Sequence, residues 1–346
     1  MSRSEPTRGP SGTGAAGPDA GPDAGVDAVE LFERERPRLV GLAYRLLGSV
    51  ADAEDVVQDA WIRWSRVDHT SIERPAAWLT TTVSRLGLDR LRARRRAQAA
   101  YVGPWLPEPL VRPMNDAGTG PSRTARSHRS PVDASDTTAA GDPAAHAELA
   151  DSLTTAFLVL LERLSPDERL VLLLVDVFGE SLRTAADTLG RSHDATRQLA
   201  VRARRKLTAD AGDLPTVRTA PQEQLAIAAA FVGAVMSGDL EAVRSMLHPD
   251  AVLTSDGGAN RHAARRPVRG ADRVARFLVN LARRLPPEVL GVTPVWVNGS
   301  PGVLVSLHGA PYMVNVIEVA GDQVVRQYSI VNPDKLASIG RSIELV

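Results

Sequence analysis

The sequence predicts a multidomain protein in which two small all-α units precede an α+β unit. Apolar residues recur at helical spacing over about 26–100 and again over 146–207. Between these blocks, residues 112–145 are rich in Pro, Gly, Ser and Asp and predict a long flexible linker. Beyond about residue 222, short stretches of alternating apolar residues rich in Val, Ile, Tyr and Thr are typical of strands.

The composition excludes several classes of protein. The chain of 346 residues has no cysteine, which excludes disulfides, thiolate metal sites and a cysteine nucleophile. Its seven histidines lie singly, without the spacing of metal ligands. Residues 1–25 predict a disordered tail without a signal peptide, and no apolar run reaches the roughly 18 residues of a membrane span. We therefore expect a cytoplasmic protein without a metal or cofactor.

The basic residues are clustered although the net charge is zero. Six arginines and one acid, Asp89, lie between Arg85 and Arg96. Six basic residues and one acid, Asp194, lie between Arg191 and Lys206. Two separate basic clusters on predicted helices are typical of two nucleic-acid-binding surfaces.

The first helical block divides into three predicted helices. Gly48 is expected to end a helix that begins near Val29, and Asp52 is expected to cap the next one. Pro75 suits the first turn of the third helix, which runs into the first arginine cluster. Trp61 and Trp64 lie on the apolar face of the second helix and are predicted to be core residues. The opposite face of that helix is acidic and carries Glu54, Asp55, Gln58 and Asp59.

Residues 178–207 predict a helix-turn-helix. Ser181 caps a short helix that stops at Gly190, where the left-handed conformation is tolerated, and Ser192 caps the second helix. The core-facing positions of the second helix are Thr196, Leu199, Ala203 and Leu207. Its outer face carries His193, Asp194, Arg197, Gln198, Arg202 and Arg205. Such a helix enters the major groove of DNA, but this segment alone fits an ordinary helical hairpin equally well.

Three stretches together carry a resemblance to a known family. They are AYRLLGSVADAEDVVQDAWIRW at 43–64, RPAAWLTTTVSRLGLDRLRARRR at 74–96, and the stretch from LLERLSPDERL to VRARRKL at 160–207. In this order, with a linker between them, they resemble the extracytoplasmic-function (ECF) sigma factors of bacterial RNA polymerase. The resemblance covers about residues 27–207 and is far more specific than a lone helix-turn-helix.

The resemblance implies partners and roles for named residues. It implies binding to core RNA polymerase, through the β′ clamp and the β flap, and to promoter DNA. The clamp-binding positions are Asp55, Gln58 and Asp59. Trp78 and the loop before its helix match the part that captures bases of the −10 element, although Ser84 stands where many relatives have Asn and leaves the base preference open. The positions that match contacts with the DNA phosphate backbone near the −10 element are Arg85, Arg90, Arg92, Arg94 and Arg95. The outer face of the second basic helix matches the part of the family that reads the −35 element.

The C-terminal part resembles a second family. The stretches FVGAVMSGDLEAVRSMLHPDAVLTSDGG at 231–258 and VRGADRVARFLVNL at 268–281 are similar to SnoaL-like domains of the NTF2-like superfamily, which are α+β cones around a pocket. Together with YVGPWLPEPL at 101–110, DGGAN at 256–260 and NPDKL at 332–336, they resemble the sigma factor J–like subgroup. In that subgroup the fused domain is thought to modulate activity. The expected order is tail 1–25, region 2 at 26–100, linker 101–145, region 4 at 146–208 and SnoaL-like domain 222–346.

The segment 101–110, which we call the docking strip, is stiffened by prolines and carries an aromatic side chain. We expect it to contact the C-terminal domain. The residues expected at that contact are Trp105, Leu106, Pro107, Asp256, Asn332, Pro333, Asp334 and Lys335. The alternative is that NPDKL merely caps the final helix.

Two other functions remain open at this stage. A DNA-binding regulator that acts without polymerase would not need the acidic helix. A SnoaL-like enzyme, or a sensor of an unknown small ligand, fused to a DNA-binding module would use a pocket in the cone. The side chains that could approach such a pocket are Asp256, His262, Trp296, Tyr312 and Asn315. Nothing in the sequence holds a nucleophile, a base and an orienting group together, so we expect no catalysis.

Overall fold

The computed structural model describes residues 23–98, 101–114, 154–210, 219, 221–286 and 289–339. Most of the predicted tail and most of the predicted linker lie outside the described residues. Residues 23–25 were assigned to the tail but belong to the first helix, which begins at Asp23.

The first helical unit contains α1 (Asp23–Leu47), α2 (Val50–Trp64), a 3-10 turn (His69–Ser71) and α3 (Pro75–Gln98). Gly48 ends α1 in the left-handed conformation, with φ of 67°. The predicted cap at Asp52 is wrong. Because α2 starts immediately after the Gly48 turn, Ser49 takes the cap position and its hydroxyl accepts the N–H of Asp52.

Tryptophans fill the core of this unit. Trp64 is buried, and its indole N–H donates to the carbonyl of Ala28 at 2.9 Å. Its ring contacts Trp78 at a centroid distance of 5.5 Å, and Trp61 packs on Phe32 at 4.8 Å. The interpretation of Trp61 and Trp64 as core residues agrees with this packing.

The second helical unit contains α4 (Thr155–Leu161), α5 (Pro166–Leu172), a π-helical turn (Leu173–Val177), α6 (Leu182–Leu189) and α7 (His193–Asp210). Ser181 caps α6, Gly190 ends it with φ of 63°, and the hydroxyl of Ser192 accepts the N–H of Ala195 at the start of α7. The helices α6 and α7 therefore form the predicted helix-turn-helix, and Thr196, Leu199 and Ala203 are buried.

The two helical units share one hydrophobic core. Side chains of the second unit, including Phe157, Leu161 and Leu174, belong to the same buried cluster as Leu39 and Leu91 of the first unit. The helices follow one another in the predicted order. The two all-α units are not separate in space, however, because they pack against each other.

The C-terminal unit combines helices with one curved sheet. Its helices are α8 (Pro221–Ser237), α9 (Leu240–Ser245), α10 (Ala271–Ala282) and α11 (Pro333–Leu336). Its strands are β2 (Leu247–Asp256), β3 (Val268–Arg269), β4 (Leu290–Val297), β5 (Ser300–Leu307), β6 (Ala310–Ala320) and β7 (Gln323–Ile330). With β1 (Val111–Pro113) the strand order is β1-β4-β5-β6-β7-β2-β3, and only the β2–β7 pair is parallel. Side chains of α8 and α10 pack on one face of this sheet, giving the expected α+β cone.

The strand β1 directly follows the docking strip in the chain. It pairs antiparallel with β4, with Val111 opposite Val297 and Pro113 opposite Val295. Arg112 and Pro113 were predicted to belong to the flexible linker, and the structure corrects this. They extend the sheet because β4 offers an unpaired edge, where a proline at the end of a strand is tolerated.

Gly48 generates a testable prediction about how the strip is packed. A Cβ at Gly48 would lie 2.5 Å from Cη2 of Trp105, whereas a Cβ at Gly190 would meet nothing within 4 Å. Both glycines have positive φ, so alanine at either is strained. We expect Gly190→Ala to lower the free energy of unfolding by about 1–2 kcal/mol and Gly48→Ala by about 2–4 kcal/mol, because only the latter also displaces the indole. Urea unfolding measures both, and equal losses would contradict the packing of Trp105 on this turn.

Candidate polymerase and promoter interface

The acidic face of α2 is exposed. Asp55, Gln58 and Asp59, the residues expected to bind polymerase, all lie on it with exposed side chains. Arg90 of α3 donates to Asp52 at 2.8 Å and to Asp55 at 2.7 Å. One of the arginines expected on DNA therefore lies against the acidic helix and fixes the orientation of its carboxylates.

Arg85 and Arg92 of the first basic cluster reach the helix-turn-helix unit. Arg85 donates to the carbonyl oxygens of Asp187 at 2.8 Å and Thr188 at 3.2 Å, at the C-terminal end of α6, where a cation is favoured by the helix dipole. Arg92 pairs with Asp167 of α5 at 2.8 Å. These contacts hold α3 against the second unit.

Arg94 and Arg95 contact the turn between α4 and α5. Arg94 pairs with Glu162 at 2.8 Å, and Arg95 donates to the carbonyl oxygens of Glu162 and Leu164. The buried Arg169 also pairs with Glu162 and donates to the carbonyl of Arg45 at 2.8 Å. Burial raises the pKa of Glu162, but the charges of Arg169 and Arg94 outweigh it and hold that pKa below its usual value.

The exposed face of α7 carries the residues expected to read DNA. Asp194, Arg197, Gln198, Arg202 and Arg205 are exposed. His193, at the first position of the helix, is half-buried. Arg202 on this face lies 4.0 Å from Glu168 of α5. The contacts of Arg85, Arg92, Arg94 and Arg95 of α3 are closer and bind α3 to the second unit.

Asp256 lies at the centre of the contact between the docking strip and the C-terminal unit. Its carboxylate is fully buried and accepts the hydroxyl of Tyr101 at 2.5 Å and the backbone N–H of Leu106 at 2.8 Å. Lys335 pairs with the same carboxylate at 2.6 Å and also donates to the carbonyl of Leu106. Asn332 donates to the hydroxyl of Tyr101 at 3.0 Å. The strip and the NPDKL segment therefore share one buried carboxylate.

Trp105 lies between two cations from different units. The ammonium of Lys335 is 4.0 Å from the Trp105 ring centroid, and the guanidinium of Arg94 is 4.3 Å from it. Burial lowers the pKa of Lys335 to about 8, although the charge of Asp256 opposes this effect. Burial and the hydrogen bond to Asp256 raise the pKa of the Tyr101 hydroxyl. Trp105 thus joins the C-terminal unit to α3 by cation–π contact.

Glu108 anchors the strip on the first helical unit, and the sequence analysis missed it. Its carboxylate accepts the backbone N–H of Val50 at 2.8 Å. Its backbone N–H donates to the carbonyl oxygen of Gly48 at 2.9 Å, and its backbone carbonyl accepts the buried hydroxyl of Tyr44 at 2.6 Å. A glutamate between two prolines gives no sequence signal for burial at the end of a distant helix.

Asn298 was also missed, although it contacts every unit. Its side-chain oxygen accepts from Tyr44 at 3.2 Å and from the N–H of Leu110 at 3.1 Å, and its amide donates to Thr155 at 3.1 Å. It is buried with φ of 47°. Followed by Gly299, it reads in the sequence as an ordinary Asn-Gly hairpin turn.

The other residues expected at this contact belong to the strip and to the NPDKL segment. Leu106 and Pro107 are buried. Asn332 accepts the N–H of Asp334 and caps α11, with Pro333 at its first position, so NPDKL caps a helix and also contacts the strip. The two interpretations of this segment therefore describe the same residues.

The structure does not bring the candidate pocket residues together. Asp256 is covered by the strip, and His262 lines a polar cleft beside Gly103. Trp296 lies on β4 opposite Arg112, and Arg261 stacks on Tyr312 at 4.6 Å. Of this set, Asn315 alone lines the apolar cavity of the cone.

Within the described residues, no cluster of three or more His, Asp or Glu could hold a metal ion. None of the helices in this part of the chain combines the length and the apolar character that crossing a membrane requires.

Comparisons with known proteins agree with this architecture. The family model for Sigma-70 region 2 matches residues 31–97, and that for Sigma-70, region 4 matches residues 154–207. The chain is 38% identical over 315 residues to the ECF RNA polymerase sigma factor SigJ of Mycobacterium tuberculosis (strain ATCC 25618 / H37Rv), covering 89% of this chain and 92% of that protein. It is 30% identical over 305 residues to the probable ECF RNA polymerase sigma factor SigI of the same strain, covering 87% and 92%.

A solved structure has the same arrangement over almost the whole chain. The crystal structure of Mycobacterium tuberculosis SigJ superposes with a TM-score of 0.66 at 36% identity and covers 91% of this chain and 100% of that one. The helical units, the cone and the order in which they follow one another are therefore shared with that protein. The chain belongs to the ECF RNA polymerase sigma factors, which bind core RNA polymerase and promoter DNA.

Proposed function

We propose that this sigma factor binds the β′ clamp of RNA polymerase through the acidic face of α2, and the β flap through its second helical unit. The exposed carboxylates of Asp55 and Asp59 beside Gln58 are the observation that supports this assignment. Arg90 leaves Asp55 more than half exposed, with a side-chain exposure of 57%. Because core RNA polymerase acts in the cytoplasm, we assign this protein to the cytoplasm.

The two basic helices are assigned to the two promoter elements. The exposed Arg197 and Gln198 near the start of α7 suit contacts with base edges of the −35 element, and Arg205, two turns later, suits a phosphate. Trp78 is half-buried at the start of α3, where it supports capture of −10 bases.

Promoter binding requires the two helical units to separate. Arg85, Arg92, Arg94 and Arg95 are assigned to the DNA backbone near the −10 element, yet in this structure they contact α4–α6. The N–H groups that donate to those acids and carbonyls are not available to a phosphate, so DNA would have to displace these contacts. The structure therefore corresponds to a closed state, and an open state is the one that binds DNA.

The C-terminal unit is proposed to modulate this opening. The strip runs on from α3 and is held by Asp256, and Trp105 covers Arg94, which contacts the second unit. Docking of the strip therefore stabilises the closed state. We assign no catalysis to this unit, since the residues that line its apolar cavity include no acid, base or nucleophilic cysteine.

The clamp assignment predicts a loss of polymerase binding. Asp55→Ala with Asp59→Ala removes two exposed charges and is expected to weaken binding to core polymerase at least tenfold without lowering the melting temperature. Glu30→Ala with Glu33→Ala makes the same change of charge on exposed positions of α1 and is the control. Equal affinities of the two double variants would contradict the assignment.

The −35 assignment predicts different losses for two arginines of α7. Arg197→Ala is expected to reduce discrimination between promoters by about 1–3 kcal/mol, because it removes a base contact. Arg205→Ala is expected to weaken all promoters alike and to reduce the salt dependence of binding. Transcription in vitro from a panel of −35 variants measures both, and an unchanged preference in Arg197→Ala would assign that residue to the backbone.

The modulation proposal predicts a gain of activity when docking is weakened. Asp256→Asn leaves the Lys335 ammonium without its charge partner, at a cost to docking of about 3–5 kcal/mol. We expect chymotrypsin to cut after Tyr101 and Trp105 in this variant, and transcription at limiting protein to rise severalfold. Asp250→Asn, exposed on the same strand, is the control. Cleavage of the strip without any change in transcription would contradict the modulation.

A further inference from the structure

The cone encloses a cavity that none of the assigned functions uses. It lies between α8, α10 and strands β4–β7 and is open to solvent at its mouth. Its walls are apolar and include Phe231, Val235, Leu278, Val303 and Met313. Met236 and Val292, which also line it, are among the few large apolar side chains left exposed in the described residues, at 42% and 37%.

Three polar side chains lie together on one wall of this cavity. The Asn315 side-chain oxygen accepts the hydroxyl of Ser329 at 2.6 Å and the amide of Gln327 at 3.2 Å. Gln327 is 4% exposed, and its own side-chain oxygen is buried without a hydrogen-bond partner among the described residues. Leaving such an acceptor unsatisfied costs about 1–3 kcal/mol, so a buried group of this kind points to a donor supplied from outside the protein.

We propose that this cavity binds a neutral, largely apolar small molecule that carries one hydroxyl or N–H group, and that this group donates to Oε1 of Gln327. The apolar walls supply the affinity and the single acceptor fixes the orientation, as in other small-molecule sites. The lining residues include no ionisable side chain, so a charged ligand would be desolvated without a counter-charge.

The position of the site connects it to the docking strip. Gln327 and Ser329 point into the cavity, whereas Tyr328 and Ile330, which alternate with them on β7, pack with Leu106 of the strip on the other face of the sheet. A ligand that shifts β7 therefore changes the surface on which the strip docks. This regulatory consequence rests on the modulation proposed above, whereas the binding site does not.

The site is tested with two matched pairs of probes on the full-length protein. The pairs are 1-naphthol with 1-methoxynaphthalene, and 1-octanol with 1-methoxyoctane; in each ether a methyl group replaces the hydroxyl hydrogen and so removes the donor. Calorimetric titration is expected to show binding of at least one alcohol, about tenfold tighter than its ether. No binding of either alcohol at millimolar concentration would overturn the proposal, and so would equal binding of alcohol and ether.

A variant of the acceptor tests the geometry. Gln327→Met keeps the length of the side chain and removes Oε1, so the alcohol is expected to bind about tenfold more weakly while the ether is unchanged. Gln323→Met is the same change at the start of β7, outside the cavity, and is expected to alter neither affinity. Preference for the alcohol that persists in Gln327→Met would overturn the assignment of the acceptor. Should Gln327→Met unfold, the comparison of alcohol and ether on the unaltered protein still decides.

The effect of the ligand on docking of the strip is measured separately from its binding. With the alcohol bound, protection of the strip from chymotrypsin and transcription in vitro should both change in the unaltered protein and stay constant in Gln327→Met. Binding without either change would leave the site in place and remove its link to modulation. Failure of the modulation itself appears separately, as transcription that is unaffected by Asp256→Asn.

Discussion

The packing of the C-terminal unit depends on one buried carboxylate. A charge with no exposure to solvent is tolerated only when it is paired and hydrogen-bonded. Besides the backbone N–H of Gly258, the partners of Asp256 come from elsewhere in the chain: the hydroxyl of Tyr101, the backbone N–H of Leu106 and the ammonium of Lys335. Because Tyr101 and Leu106 belong to the strip and Lys335 to the last helix, burying this carboxylate brings both onto the end of β2.

The docked strip carries that constraint to the helical units. Trp105 lies between Lys335 and Arg94, and Glu108 closes the turn between α1 and α2. The strip then continues as a strand on the edge of the sheet. One segment of fewer than fifteen residues therefore contacts the cone and the first unit, and it places the cone beside the arginines that hold the second unit.

Much of the architecture is encoded locally and could be predicted. Helical spacing, the serine at the start of α6 and the glycine at its end specify two short helices and the turn between them without tertiary information. The alternating strands predict the sheet, and the acidic face of α2 is readable because its apolar residues leave it outward. The docking strip is recognisable from its prolines and its tryptophan. The cap of α2 was misassigned because Ser49 and Asp52 are both good capping residues, and the tightness of the Gly48 turn decides between them.

The sequence by itself determined the order of the units, the family and the kinds of side chain on each helix. The tertiary structure alone decided which partners those side chains have. An arginine cluster looks the same whether it faces DNA or a neighbouring helix, since a guanidinium pairs with phosphates, carboxylates and carbonyl oxygens alike. Glu108, Asn298 and Gln327 likewise carry no local signal, because each matters through groups far away in the chain. Whether such residues are buried depends on how the units pack, and it cannot be predicted from the neighbouring residues in the sequence.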